Sequence, residues 1–317
     1  MQENLEIRPK NFDEFIGQEE LINTLKVLIN SSKKRRKTLD HILFYGPPGL
    51  GKTTLAKIIS TETEGQIKFI QGSLIEKKSD ILSIFASFKK GDIIFIDEIH
   101  SVNKNVEELL YTAMEEFVLD IQIGVDGEQK IMRMRLPEFT MIGATTKIDG
   151  LSQPLRDRFG FIAKLKPYSD FEMSKIIKNS SIKLKLKLAD DLISYITKFT
   201  NGTPRIANNI LKRVRDFSIY QETKEIDQKL VDTTLKNIGI YKEGLNNLHI
   251  EYLRLLGNIF KSKSVSLDVI CGILKESREN IQKNIEPSLL SNSLIEKTSR
   301  GRKITAKGYD YLNFNVD

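Results

Sequence analysis

A glycine-rich loop between an apolar run and a helical pattern constrains this chain more than any other feature. Residues 46–53 read GPPGLGKT, directly after the apolar run 42–45 and before the helical pattern 54–60. Glycines let backbone N–H groups close round phosphate oxygens, and the N-terminus of the following helix favours negative charge. The loop therefore predicts a nucleotide-phosphate site, in which Lys52 reaches the β- and γ-phosphates and Thr53 places its hydroxyl on Mg²⁺.

Two acids follow a second apolar run. Residues 93–96 read IIFI, and Asp97 and Glu98 come directly after them. Ligands of open α/β sheets bind at the carboxyl ends of the strands, where these acids would lie. We expect Asp97 to hold Mg²⁺ through water and Glu98 to act as the general base that polarises the attacking water. The alternative is a solvated pair at a helix start, which the phosphate loop upstream disfavours.

The first half of the chain alternates strand-like and helical patterns. Apolar runs at 42–45, 68–70, 93–96 and 140–144 are typical of buried parallel strands. They predict the α/β fold class, with a parallel sheet in a doubly wound layer over residues 1–168. Between Asp120 and Leu136 apolar and polar residues alternate around Asp126-Gly127, which predicts an inserted β-hairpin over residues 120–136.

The second half predicts two further domains. Apolar residues recur at helical spacing from 171 to 220, interrupted at Gly202-Thr203-Pro204, which predicts a small helical domain over residues 169–240. Residues 241–317 form a third unit with helical patterns at 248–260, 267–274 and 278–290. This unit is expected to end in a strand pair at 294–297 and 303–305.

Composition limits the partners and the cellular compartment. The chain has 317 residues and a formal net charge of +7, from 49 basic and 42 acidic residues, which permits a nucleic-acid partner without showing one. A single cysteine, Cys271, excludes an intramolecular disulfide framework and favours a reduced compartment. Residues 1–10 are polar, and no run approaches the ~20 apolar residues of a membrane span. We therefore expect a cytoplasmic protein without a membrane partner.

The order of these motifs resembles that of the AAA+ ATPases. The phosphate loop is followed by DEIH at 97–100, GATT at 143–146, PLRDRFG at 154–160 and GTPR at 202–205. The particular residues resemble the RuvB family of Holliday-junction branch-migration ATPases, from RPK at 8–10 and IGQ at 16–18 to TSRGR at 298–302. The likeness covers nearly the whole chain. It implies a P-loop AAA+ domain, a small helical lid and a C-terminal winged helix, with ATP and Mg²⁺ as cofactors.

The resemblance also implies roles for single residues. Thr146 corresponds to the sensor of the γ-phosphate, although Thr145 could share that role, and Arg158 to the arginine finger that reaches the ATP of an adjacent subunit. A guanidinium suits a finger because it stays charged and carries several donors. Arg205 corresponds to the second sensor. The expected catalytic set is Lys52, Asp97, Glu98, Thr146 and Arg158, and the expected ATP-binding set is Ile7, Arg8, Gly46, Gly49, Gly51, Lys52, Thr53, Thr54, Arg156, Tyr168 and Arg205.

The wing of the winged helix is the expected DNA surface. Lys297, Arg300 and Arg302 would meet backbone phosphates, contacts that carry no sequence preference, and Gly301 would allow a tight turn between the strands. A basic hairpin tip taken alone is more often merely solvated. The basic run at residues 33–37 is a second candidate, although a solvated connection is favoured there.

The resemblance implies partners that the residues alone do not. It points to double-stranded DNA at Holliday junctions, a homo-hexamer, RuvA docked on hairpin 120–136, and RuvC as a further partner. The apolar face of that hairpin could equally pack within this chain. A clamp-loader-type AAA+ subunit is the alternative function, and a helical collar in place of a basic winged helix would favour it. A DNA-binding scaffold with a degenerate nucleotide site has little support, because the catalytic residues are present.

Overall fold

The computed structural model describes residues 7–123, 130–261 and 263–315. The chain packs as two compact units, Met1–Tyr168 and Ser169–Asp317. The strands of the first unit are β1 (Ile42–Tyr45), β2 (Ile67–Gln71), β3 (Ile93–Asp97), β4 (Val118–Ile123), β5 (Lys130–Arg135), β6 (Thr140–Thr145) and β7 (Phe161–Lys164). Its helices are α1 (Glu19–Arg35), α2 (Lys52–Thr63), α3 (Lys78–Phe85), α4 (Lys104–Glu116) and α5 (Gln153–Asp157).

A five-stranded parallel sheet of order β2-β3-β6-β1-β7 forms the centre of the first unit. The α/β class and the four predicted strands β1, β2, β3 and β6 are confirmed. β1, β3 and β6 are buried almost throughout, which is why they read as unbroken apolar runs. One further strand, β7, lies at an edge, alternates exposed with more buried positions, and was not predicted.

One face of the sheet packs against α3, α4 and α5. The buried cluster there contains Phe85, Ile96, Leu110, Met141 and Leu155. Burial of apolar area at about 25 cal/mol per Å² is the main favourable contribution to such packing. The cluster fixes the three helices that carry or flank the acidic and arginine motifs.

The predicted hairpin forms, with Val118 opposite Arg135 and Ile123 opposite Lys130. Its predicted turn, Asp126-Gly127, lies outside the described residues. Near its base the apolar face joins the core through buried Leu119, while Met132 further out is half exposed. The described part of the hairpin therefore supports both readings of its apolar face, with packing at the base and an open surface beyond it.

A buried histidine links three elements of the first unit. The Met141 N–H donates to Nδ1 of His41 at 2.9 Å, and Nε2 of His41 lies 2.9 Å from the carbonyl oxygen of Met114. Nδ1 must therefore be unprotonated, and Nε2 carries the proton of a neutral ring. Burial lowers the pKa of His41 below its ordinary 6.5, although the Met114 carbonyl and nearby Asp40 act in the opposite direction.

This histidine should make the stability of the first unit pH-dependent. The unfolded ring takes up a proton near pH 6.5 and the folded ring does so only at lower pH, so the stabilisation is complete above the unfolded pKa. It falls as the pH drops below 6.5, by at most about 1.4 kcal/mol per pH unit. Denaturant unfolding at about pH 7.5 and about pH 5.5 measures this, and the difference should shrink in His41→Gln. An equal pH difference in parent and variant would contradict it.

The second unit contains mostly helices. They are α6 (Asp170–Lys183), α7 (Asp190–Thr197), α8 (Pro204–Tyr220), α9 (Gln228–Ile238), α10 (Asn247–Arg254), α11 (Leu267–Leu274), α12 (Arg278–Asn280), α13 (Glu286–Ser291) and α14 (Ala306–Asn315). A π-helical segment, Ile281–Ile285, joins α12 to α13. Short strands β8 (Ile240–Tyr241) and β9 (Leu245–Asn246) pair, as do β10 (Ile295–Thr298) and β11 (Gly301–Ile304).

Residues 245–312 share one buried apolar cluster, which includes Tyr252, Ile270, Leu289 and Ile304. Helices α10 to α13 followed by the β10–β11 pair form the predicted winged helix. The sequence predicted that this unit ends in the strand pair. That prediction is wrong, because α14 follows the pair. Gly308 lets α14 approach closely, since a Cβ there would lie 2.3 Å from the carbonyl oxygen of Leu294. Within the described ranges no helix is long and apolar enough to cross a bilayer.

Candidate functional site

The phosphate loop joins β1 to α2, as predicted. Gly46, Gly49 and Gly51 all have positive φ, at 136°, 84° and 110°. A Cβ on Gly46 would lie 2.5 Å from the carbonyl oxygen of Leu165, so no other residue fits there. Gly51 caps α2, which begins at Lys52. Positive φ at these three glycines, directly before a helix N-terminus, suits a loop whose backbone N–H groups close round a phosphate.

Lys52 lies inside this loop. Its side chain is buried, and Nζ donates to the carbonyl oxygens of Gly46 at 2.7 Å and Pro47 at 2.9 Å. A buried ammonium requires such partners, and phosphate oxygens are stronger acceptors for it. Thr53 is half buried and Thr54 is buried in the first turn of α2. The structure thus brings the predicted phosphate-binding residues together.

Side chains from outside the loop hold it in place. A Cβ on Gly51 would lie 3.2 Å from Cζ of Phe15, and the hydroxyl of Tyr168 donates to the carbonyl oxygen of Leu50 at 2.9 Å. The Gln18 side chain donates to the Lys166 carbonyl at 2.6 Å and accepts from the Lys166 N–H at 3.3 Å. Tyr168 was predicted at this site, whereas sequence reasoning gave no role to Phe15 or Gln18.

Two further predicted residues precede the loop in the chain. Ile7 is buried and Arg8 is half buried. Burial lowers the pKa of Lys57 on α2, and the positive charge of Arg8 lowers it further. Arg8 therefore lies close enough to α2 for its charge to act on that helix.

The acid pair lies where β3 ends, and Glu98 is turned toward the end of β6. Glu98 has a left-handed backbone, with φ of 48°. Its Oε2 accepts from the Thr146 N–H at 3.1 Å and the Thr146 hydroxyl at 3.0 Å, and it lies 3.2 Å from Nδ1 of His100. The hydroxyl of Thr145 instead lies 2.9 Å from Nδ1 of His100. The geometry thus separates Thr145 from Thr146 and brings in His100, which sequence reasoning left without a role.

The donors present suit Mg²⁺ bound largely through phosphates and water. The Asp97 carboxylate is half exposed at the end of β3, and the Thr53 hydroxyl is a second hard oxygen. No group of three His, Cys, Asp or Glu side chains in the described ranges forms a ready-made metal cage. Mg²⁺ keeps several waters and binds through few protein ligands, so this set fits it.

The candidate finger, Arg158, is held by α4 and by its own segment. One terminal nitrogen donates to the Pro154 carbonyl at 3.0 Å, the other donates to Oε2 of Glu115 at 2.9 Å, and the guanidinium lies 5.3 Å from the Tyr111 ring centre. The Nε atoms of Arg158 and Arg156 are buried and have no hydrogen-bond partner within the described chain. A buried donor left unpaired is costly, which is typical of groups that bind something else.

A polar network fixes the helix that precedes this arginine. The hydroxyl of Ser152 caps α5 by accepting from the Leu155 N–H, and it also contacts the buried carboxylate of Glu107. The hydroxyl of Tyr111 lies 2.8 Å from that of Ser152 and donates to Glu107 at 3.0 Å. Tyr111 and Glu107 on α4 therefore position α5. Neither was predicted, because isolated acids and tyrosines on a helix carry no such signal.

Arg205 belongs to the second unit. It is the second residue of α8, after Pro204, and its side chain is exposed. Its predicted role as second sensor stays a prediction.

The three predicted wing cations occupy different environments. Arg300 is exposed in the turn between β10 and β11. Arg302 has a side chain only 16% exposed, and its Nε donates to the buried carboxylate of Glu286 at 2.6 Å. Lys297, directly opposite Arg302, is half exposed and lies 3.1 Å from the other Glu286 oxygen. The solvent-facing arrangement expected for all three holds fully for Arg300 alone.

Gly301 is required by a close backbone approach, in addition to its predicted place at the turn between the strands. It opens β11 with φ of 140°, and a Cβ there would lie 2.1 Å from the carbonyl oxygen of Val265. Arg302 and Val265 exchange two backbone hydrogen bonds at 2.8 and 2.9 Å. The close approach of this third segment excludes a side chain at position 301.

Comparison with known families decides the affiliation of the chain. The model of the Holliday junction DNA helicase RuvB P-loop domain matches residues 7–165. The RuvB AAA lid domain matches residues 168–241, and the RuvB C-terminal winged helix domain matches residues 242–313. The chain belongs to the RuvB family. Its first unit is accordingly a RuvB-type P-loop ATPase domain.

Individual relatives agree with this membership. The Holliday junction branch migration complex subunit RuvB of Mesomycoplasma hyopneumoniae strain 7448 is 60% identical over 312 residues, covering 98% of both chains. The same subunit of Mycoplasmopsis pulmonis is 53% identical, covering 98% of this chain and 99% of that one. The structure of the Thermotoga maritima RuvB Holliday junction branch migration motor superposes with a TM-score of 0.84 at 38% identity, covering 98% of this chain and all (100%) of that one.

Proposed function

We propose that this chain is the ATP-hydrolysing motor that drives branch migration of Holliday junctions, acting together with RuvA. The observation that carries the proposal is the presence, in one RuvB-family chain, of a complete phosphate loop, an acid pair whose Glu98 is bound by Thr146, and a winged helix. We further propose the three-domain division 1–168, 169–240 and 241–317, which the ranges of the family models support.

Nucleotide binding falls to the loop and its neighbours. Lys52 and the loop N–H groups bind the phosphates, and Thr53 and Asp97 hold Mg²⁺, whose charge stabilises phosphoryl transfer when it is bound. Tyr168, Ile7 and Arg8 surround the rest of the nucleotide.

The activation of water falls to Glu98. Its carboxylate accepts the hydroxyl proton of Thr146 at 3.0 Å, and a threonine hydroxyl has only one proton to donate. When Thr146 donates instead to a γ-phosphate, Glu98 loses that bond and can accept a proton from water. The pair therefore links occupancy of the nucleotide site to the availability of the base.

Completion of the site falls to arginines of a neighbouring subunit. Arg158 is bound by Glu115 and Pro154 within its own chain, and the buried Nε atoms of Arg156 and Arg158 have no hydrogen-bond partner among the described residues. We propose that both arginines face the nucleotide of the adjacent subunit in a homo-hexamer, with Arg205 contacting the ATP of its own subunit. Guanidinium groups suit this role because they remain charged and bind phosphoryl oxygens through several donors.

The macromolecular partners follow from the hairpin and the wing. The half-exposed Met132 on the β4–β5 hairpin supports docking of RuvA there, and the winged helix supports binding of double-stranded DNA through phosphates. RuvC as an additional partner and a cytoplasmic location complete the proposal. A clamp-loader subunit is disfavoured, because helices α10 to α13 and the β10–β11 pair form a winged helix, whereas a helical collar would be required.

ATP turnover with and without double-stranded DNA tests the proposal first. A motor that couples ATP hydrolysis to DNA movement should hydrolyse ATP faster when duplex DNA is present. Lys52→Ala should abolish turnover in both conditions, because the phosphates lose their main cation. Lys57→Ala, a matched control on the same helix, should retain turnover. An ATP turnover rate that is the same with and without duplex DNA at every salt concentration would argue against a DNA motor.

A further inference from the structure

The histidine that follows the acid pair lies beside the proposed base. His100 belongs to a short 3-10 helix, Ile99–Ser101, directly after Glu98. Its Nδ1 lies 2.9 Å from the hydroxyl oxygen of Thr145 and 3.2 Å from Oε2 of Glu98, and its side chain is only 15% exposed. One ring nitrogen therefore meets two oxygens, and one of them belongs to the carboxylate that is proposed to activate water.

The surrounding elements hold the ring of His100 in place. Ile99, the preceding residue, is buried in the apolar cluster between the sheet and its helices. Thr145 is fully buried, and its hydroxyl oxygen also accepts from the Lys147 N–H at 2.9 Å. A Cβ on Gly150 would lie 3.1 Å from Cβ of His100, so the backbone at Gly150 packs closely against the histidine. The imidazole therefore has a fixed orientation before any substrate binds.

The neighbours of Nδ1 determine which ring nitrogen carries the proton. A neutral imidazole donates from one nitrogen and accepts at the other, whereas an ionised carboxylate only accepts. An unprotonated Nδ1 would thus direct its lone pair at the oxygens of Glu98. The proton belongs on Nδ1, from which His100 donates to Thr145 while the positive end of the N–H dipole lies near Glu98. The neutral ring is sufficient for this arrangement.

Glu98 requires such a neighbour because it loses a hydrogen bond during the proposed cycle. The Thr146 hydroxyl leaves Glu98 when it donates to the γ-phosphate, whereas the Thr146 N–H, 3.1 Å from Oε2, and Nδ1 of His100 remain. A glutamate side chain has considerable rotamer freedom, and a general base must stay within hydrogen-bond reach of its water. A fixed donor beside the carboxylate limits that freedom at the step where the base acts.

We infer that His100 is a positioning residue for the proposed base: its Nδ1–H, fixed by Thr145, keeps the Glu98 carboxylate directed at the attacking water while Thr146 binds the γ-phosphate. The inference rests on the proposed role of Glu98 as the base. No proton is transferred through the imidazole, because the Nδ1–H remains bonded to Thr145 throughout.

Two substitutions of nearly equal shape separate hydrogen bonding from packing. Asparagine places an amide nitrogen the same number of bonds from Cα as Nδ1, and leucine places a methyl group there. His100→Leu should lower kcat for ATP roughly 10- to 100-fold with KM nearly unchanged, because a misplaced base slows the chemistry without weakening phosphate binding. His100→Asn should recover most of that loss. Parental kcat in His100→Leu, equal losses in both variants, or a change mainly in KM would each overturn the inference.

A double variant tests whether His100 acts through Glu98. Single-turnover hydrolysis with the protein in excess measures the slow rates. Adding His100→Leu to Glu98→Gln should cause little further loss, because the amide cannot accept the proton in any orientation. A further loss as large as in the parental background would overturn the inference. Parental turnover in Glu98→Gln alone would instead refute the proposed base, whereas a slow Glu98→Gln beside a parental His100→Leu would overturn the positioning role only.

Nucleotide binding provides a readout that does not depend on turnover. ADP should raise the melting temperature of the parent and of His100→Leu by the same amount, since a ligand stabilises the folded state according to its affinity. A smaller rise in His100→Leu would overturn the inference, because His100 would then form part of the nucleotide-binding surface.

Discussion

Glu98→Gln should bind ATP with nearly parental affinity and hydrolyse it roughly 10²- to 10⁴-fold more slowly. The amide has the shape of the carboxylate, so the phosphate loop and Lys52 are undisturbed. It cannot accept a proton from water, however, and the hydroxyl of Thr146 can still donate to it. Nucleotide affinity by equilibrium titration and turnover by phosphate release, measured on the same preparation, check this result.

The matched control is Glu138→Gln. Glu138 is a half-exposed acid of the same unit that pairs with Lys90 at 2.9 Å, so its loss should leave both affinity and turnover unchanged. Parental turnover in Glu98→Gln would remove Glu98 from the role of base. A loss of ATP affinity would show that the carboxylate mainly shapes the binding site.

Arg158→Ala should bind ATP almost normally and reduce turnover by roughly 10³-fold or more, since a finger stabilises the charge of phosphoryl transfer. The defect should lie in the adjacent subunit's site, because the residue's own phosphate loop is intact. Lys52→Ala subunits have the converse defect, since they lose their own site and keep the finger.

Mixing the two inactive variants distinguishes action across an interface from action within a subunit. If Arg158 serves the neighbour, mixed rings regain turnover where an intact Arg158 faces an intact Lys52 site. The recovery should rise and fall with the mixing ratio. If Arg158 serves its own subunit, every subunit in the mixture is defective and no ratio restores activity, which would contradict the proposed site. Mixing Lys52→Ala with Glu98→Gln is the control, because every nucleotide site remains defective and no turnover should return.

Much of the fold was predictable because buried strands and helices have characteristic local patterns of apolar residues in the sequence. Strands buried on both faces read as unbroken apolar runs, and the loop at residues 46–53 combines its glycines with Lys52 in a fixed order. The edge strand β7 escaped prediction because one of its faces is exposed. Helix α14 escaped it because Gly308, a poor helix former, is required by close packing on Leu294.

The candidate site was predictable where chemistry requires particular residue types in sequence order. Lys52, Asp97 and Glu98 belong to that class. The residues that hold the functional side chains in place were not predictable, because they lie far from those side chains in the sequence. Glu115 binds Arg158 across 43 positions, and Glu286 binds Arg302 across 16 positions from within a helix, where an acid is expected to be solvated. The sequence could show that Arg302 is basic, but only the fold shows that it faces inward.

Branch migration of a synthetic four-way junction, with and without RuvA, tests the central claim most directly. With RuvA, ATP and Mg²⁺, the chain should convert the junction into two duplex products, and Glu98→Gln should leave it intact. Without RuvA the rate should fall, since the proposed docking hairpin has no partner on the DNA. An intact junction in all conditions, together with ATP-dependent loading of a sliding clamp by the same preparation, would contradict the account and favour the clamp-loader function.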